Sequence, residues 1–110
     1  MSYWHKNLKG RFSTFPFYQQ ILMIGNELNR AKNFCGKNQS EVHFALERAL
    51  ELMDFASKPS LRFQQLRELR RAREVVAGLY SKEDASKREI ERILRVLLQM
   101  HPKAFQTIAP

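Results

Sequence analysis

The run Arg88-Glu89-Ile90-Glu91-Arg92-Ile93-Leu94-Arg95-Val96-Leu97-Leu98 decides the fold. Ile90, Ile93, Leu94, Leu97 and Leu98 recur at the i, i+3, i+4, i+7 spacing that gathers them on one side of an α-helix, whereas a strand would scatter them over both faces of a sheet. At about 100° per residue the centre of this apolar side lies near Ile90 and Leu97, and Arg88, Arg92 and Arg95 cluster almost opposite. One segment thus shows both a core-facing stripe and a row of guanidinium groups turned away from it.

Three earlier segments repeat the helical period. Between Pro16 and Phe34 the stripe is Phe17, Ile21, Ile24, Leu28 and Ala31, with proline suited to a first helical position and Gly36 to a stop. Between Gln39 and Ser57 it is Val42, Ala45, Leu46, Ala49, Met53 and Ala56, preceded by Asn38 with Glu41 in a capping arrangement. After the break at Lys58-Pro59, Ser60 is a good N-cap for a third helix to Tyr80 that carries Leu66, Leu69, Ala72, Val76 and Leu79 inward. A turn from Ser81 to Ser86, where Ser81 and Asp84 are able to cap, leads into the last helix, which His101-Pro102 closes. Strict alternation is missing, and the links are short. The expectation is an all-α chain: an antiparallel up-down-up-down four-helix bundle over 16–102, with an aromatic-basic N-terminal arm over 1–15 and a C-terminal tail over 103–110.

A chain of 110 residues fits one domain that buries enough surface to need no disulfide or metal staple. The single cysteine, Cys35, has no partner at metal-ligand spacing and reads as a structural thiol in a reducing compartment. No apolar stretch approaches membrane-spanning length, and Met1-Ser2-Tyr3-Trp4-His5-Lys6 lacks the layout of a secretory signal, so a cytoplasmic location is expected.

The formal net charge is +8 and the isoelectric point near 10.1. The surplus is concentrated, because the third helix adds Arg67, Arg70, Arg71 and Arg73 with only Glu68 and Glu74 to offset them. Two neighbouring antiparallel helices would present one broad positive surface. Arginine suits bidentate phosphate contacts, and ridges of fixed guanidinium groups release condensed counterions from phosphate chains. The plain alternative is a solvated face on which Glu91 supports Arg95 at i, i+4. The expected partner is a polyanion: RNA, DNA or an acidic protein surface.

Two other features ask for partners. Phe44 and Phe55 are eleven positions apart, point within about 20° of each other, and lie far around the second helix from its main stripe. This second apolar face reads as an oligomer or partner contact, with burial under the N-terminal arm as the alternative. The arm itself holds Tyr3, Trp4, Phe12 and Phe15 among basic residues and no acid, and Trp4, Lys6, Lys9 and Arg11 are candidate nucleic-acid contacts.

Nothing in the chain spells out catalysis, and no cofactor or metal is expected. His5, His43 and His101 are scattered, and no nucleophile triad or glycine-rich phosphate loop is present. Arg95 followed by His101 has an outward likeness to the signature of HEPN-type helical ribonucleases. If the helix ran on to His101, however, that residue would point toward the core and Arg95 away from it, so such an enzyme would need a dimer.

The stretch Ala45-Leu46-Glu47-Arg48-Ala49-Leu50-Glu51-Leu52-Met53, the small-residue break at Ala56-Ser57-Lys58, then Leu66-Arg67-Glu68-Leu69-Arg70-Arg71-Ala72-Arg73 and a serine-initiated last helix with Glu91-Arg92-Ile93-Leu94-Arg95 resemble a known pattern. It is that of the four-helix-bundle family of ribosomal RNA intervening-sequence proteins and the accessory variability determinant (Avd) of diversity-generating retroelements. The resemblance implies a non-enzymatic, basic homo-oligomer, a pentamer in that family, that binds RNA or DNA and serves as accessory to a reverse transcriptase. Members often end in a glycine-tryptophan-containing helix, where this chain has Val96-Leu97-Leu98-Gln99-Met100. A small helical subunit of a ribonucleoprotein or phage assembly is the remaining expectation.

Overall fold

The computed structural model describes residues 9–58, 61–82 and 85–100. All regular structure among them is helical: α1 (Lys9–Thr14), α2 (Phe17–Phe34), α3 (Gln39–Ala56), α4 (Phe63–Ser81) and α5 (Lys87–Leu98). Four helices are long, and their stripes are those the periodicity marks. Ile21, Ile24 and Leu28 of α2, all six stripe residues of α3, Leu69 and Val76 of α4, and Ile90 and Leu97 of α5 are fully buried. Each large apolar side chain so removed from water contributes about 1.5–3 kcal/mol before the entropy cost of ordering the chain. Phe17, Leu66 and Leu94, at the edges of their stripes, are only partly buried.

The helices meet in a closed sequence of contacts: α2 packs on α3 and α5, α3 on α4, and α4 on α5. The α2–α5 seam is close because Gly25 lets the Cδ atoms of Leu94 and Leu98 come within 3.5 Å of where a side chain would begin. The α3–α4 seam is polar at its rim, where the Tyr80 hydroxyl donates to Glu47 Oε2 at 3.3 Å and the Tyr80 ring packs on His43 with centroids 5.2 Å apart. Partial burial, and then the neighbouring Glu47 charge, push the Tyr80 phenol above its ordinary pKa.

Local chemistry sets the helix ends. Asn38 Oδ1 accepts the Glu41 N–H at 3.2 Å and starts α3, directly after Gly36 has turned the chain at φ +78°. The last helix starts on Ser86 and not on the capping candidates upstream of it. Ser86 Oγ accepts the Glu89 N–H, and the Glu89 carboxylate reaches back to the Ser86 N–H, forming a capping box. Ser81 is the last residue of α4, and Asp84 lies outside the described residues. Helix α4 begins at Phe63, with Arg62 at its N-cap and no side-chain cap, so it starts after the Ser60 expected to cap it, which also lies outside the described residues.

The N-terminal segment departs furthest from the expectation of an arm outside the core. Helix α1 packs on α3, and Phe12 is fully buried. Its ring meets that of Phe55 at a centroid distance of 6.3 Å, and Gln20 Nε2 donates to the Phe12 carbonyl at 2.9 Å. Consequently α3 is enclosed on nearly every side, and the six residues from Arg48 to Met53 are all buried. Burial of a charged residue requires pairing, and Arg48 Nε donates to Glu27 Oε2 on α2 at 2.7 Å.

A candidate polyanion surface on two adjacent helices

The expected arginines divide by environment. Arg67, Arg70, Arg71, Arg88, Arg92 and Arg95 are exposed and make no hydrogen bond or ion pair with any described residue. Arg73 is different, because it turns toward α3 and grips Asp54 in a bidentate pair, Nε to Oδ1 at 2.5 Å and Nη2 to Oδ2 at 3.3 Å. That hydrogen-bonded carboxylate raises the Arg73 pKa and occupies the fork a phosphate would take. The structure therefore uses Arg73 to fasten α4 to α3. The pair between Glu91 and Arg95 that belongs to the alternative of a solvated face is not made.

Contact between α4 and α5 brings the two rows together. Arg71 of α4 and Arg92 of α5 line one open groove whose floor is Ala72, Val75, Ile93, Val96 and Met100. Arg67 and Arg70 continue the surface along the outer face of α4, and Arg88 and Arg95 along α5. Two carboxylates, Glu68 and Glu89, also line the groove. Glu89 is already engaged: Lys82 donates to it at 2.8 Å, and this bond, followed by that from Ser86, holds its carboxyl below the usual carboxylate range.

The opposite sign gathers on α3, which carries Glu41, Glu47, Glu51 and Asp54 against Arg48 alone. Since α3 packs on α2 and α4 while α5 closes onto α2 and α4 from elsewhere, the protein's field is lopsided, positive along α4 and α5.

The remaining candidates are dispersed. Phe44 is 53% exposed, while Phe55 is half-buried against Phe12, so the two rings do not form one open patch. Arg11 is exposed on α1, and Lys9 opens that helix. Trp4, Lys6 and His101 lie outside the described residues. Among the described residues no group of histidine, cysteine and carboxylate side chains has the arrangement to hold a metal ion. The Cys35 thiol points at the Ala85 carbonyl at 3.6 Å, tying the α2–α3 turn to the start of α5. No described helix is long and apolar enough to cross a membrane.

Sequence reasoning passed over Phe63, at 79% exposure the most open of the large apolar side chains among the described residues, and the pair Val75 and Val96, about half-exposed in the groove. The signal for Phe63 was available, since it falls off the Leu66-Leu69-Val76 stripe by helical count. The chain matches no family model, and no curated protein or solved structure matches it.

Proposed function

We propose that this protein is a non-enzymatic nucleic-acid-binding accessory factor that holds a phosphate backbone, without reading its sequence, on the joint surface of α4 and α5. The observation that carries the reading is that six arginines, Arg67, Arg70, Arg71, Arg88, Arg92 and Arg95, lie exposed on two packed helices with no carboxylate among the described residues engaging any of them. Guanidinium groups left unpaired beside one another repel, and an external polyanion relieves that repulsion while giving up its counterions. Phosphate contacts fix position and carry no sequence information, so arginines bonded to the backbone bind without regard to base identity.

The architecture that goes with this reading is an antiparallel up-down-up-down four-helix bundle with the N-terminal segment laid over α3, supported by the closed order of helix contacts and the short links. The resemblance to the intervening-sequence and Avd family agrees with it and adds a homo-oligomer, a reverse transcriptase as protein partner and a cytoplasmic setting. Exposed Phe44, on the outside of α3, is the residue best placed for contact between subunits.

The test is binding of two unrelated RNA sequences and two unrelated DNA sequences of equal length, measured by fluorescence anisotropy, for the protein and for a variant with Arg88, Arg92 and Arg95 changed to alanine. Affinities within a few-fold across the four, all reduced at least tenfold in the variant, are expected. Strong preference for one sequence, or binding unaffected by the substitutions, overturns the proposal.

A further inference from the structure

Phe63 stands at the first position of α4 with 79% of its surface in water. Counting at about 100° per residue puts Arg67, at i+4, about 40° to one side of it and Arg70, at i+7, about 20° to the other, so the ring opens a line of guanidinium groups that runs about 10 Å along the helix. Phe63, Arg67, Arg70 and Arg71 border one shallow depression. A lone exposed apolar residue needs no explanation, but an aromatic ring set among unpaired arginines has the two elements that bind unpaired nucleotides: a π-face for a base, and fixed positive charge for the phosphates on either side of it. Duplex nucleic acid can use only the second element, because its bases are already stacked.

We propose that Phe63 is a stacking platform for an unpaired base and that the α4–α5 surface therefore prefers single-stranded nucleic acid to duplex. This rests on the nucleic-acid reading of the same surface and goes further by naming the strand state. Arg67, Arg70 and Arg71 hold the backbone in either case, and Phe63 adds affinity only where a base is free to leave the strand.

The test uses three probes of equal length at one salt concentration: a twelve-residue oligothymidylate, the same backbone with every base replaced by a stable abasic unit, and a twelve-base-pair duplex. The unchanged protein is expected to bind oligothymidylate about tenfold more tightly than the abasic strand, the span that stacking of a single base supplies. Phe63→Ala removes that difference and leaves abasic and duplex binding as they were, while Phe63→Tyr keeps it. Because the ring is exposed, neither substitution threatens the fold.

Equal loss on the abasic strand, or no loss on oligothymidylate, overturns the stacking role, while binding of all three probes would leave the backbone-holding function standing. Failure of the unchanged protein to bind any of them refutes that function itself. Capture of a polyglutamate peptide in a Phe63-dependent manner, with no such dependence for oligothymidylate, would assign the patch to an acidic protein and overturn the proposal.

Discussion

Replacing Phe12 by alanine measures whether the N-terminal helix belongs to the core. Phe12 is fully buried, its ring packs on Phe55, and its carbonyl accepts a bond from Gln20. Truncating a buried phenylalanine costs about 3–5 kcal/mol, a figure that includes lost transfer energy and the cavity left behind. Helix α1 has only six residues, so with its anchor gone it can detach instead of spanning a hole, which places the cost at about 3 kcal/mol, the low end of that range. Domains of this size have about 5–15 kcal/mol of stability, so the loss is a large share of the total. With a urea m-value of about 1.5 kcal/mol/M the midpoint falls by about 2 M. The assay is urea unfolding followed by far-ultraviolet circular dichroism, with Phe44→Ala as the control: that ring is 53% exposed, and its removal is expected to cost about 0.5 kcal/mol or less. A Phe12→Ala midpoint within about 0.5 M of the unchanged protein would refute the reasoning.

Four further outcomes follow from single contacts. Arg48→Ala leaves Glu27 in a largely buried site and is expected to cost about 3 kcal/mol, whereas joint replacement of Arg48 and Glu27 by leucine is expected to cost distinctly less, a difference that denaturant titration of both variants resolves. Ser86→Ala removes the cap of α5 and lowers stability by about 1 kcal/mol at neutral pH. Because the folded-state pKa of Glu89 is lowered, its contribution is complete above the unfolded carboxylate pKa and fades as pH falls through the folded value, so the difference in thermal midpoint between the protein and Glu89→Gln is expected to shrink on acidification. Gly25→Ala is expected to stabilise by up to about 1 kcal/mol, since the added methyl meets Leu94 and Leu98 at 3.4 and 3.5 Å and α2 gains helix propensity, while Gly25→Leu overpacks the seam and lowers the melting temperature.

The long helices and their inward stripes were legible because period and burial are local properties: Ile90 and Leu97 declare their side of α5 through their own neighbours. Phe12 was not legible, since a helix of six residues shows no period and its partner Phe55 lies on a distant helix. The same distance hides the charge pairings. Arg73 and Arg70 look alike in the sequence, yet only Arg73 faces Asp54 across the α3–α4 seam, and only the fold reveals that Arg48 points at Glu27. The outward arginines of α5 and the off-stripe position of Phe63 were readable from the helical period, whereas the groove that Arg92 shares with α4 depended on which helices became neighbours.

Salt dependence tests the central claim most directly. Each phosphate neutralised on a single strand contributes about −0.7 to the slope of log K against log salt, so six engaged arginines give a slope of about −4. The account predicts that value for a single-stranded oligonucleotide titrated at several salt concentrations, falling to about −2 when Arg88, Arg92 and Arg95 are changed to alanine. A slope near zero, or one that the three substitutions leave unchanged, would contradict it.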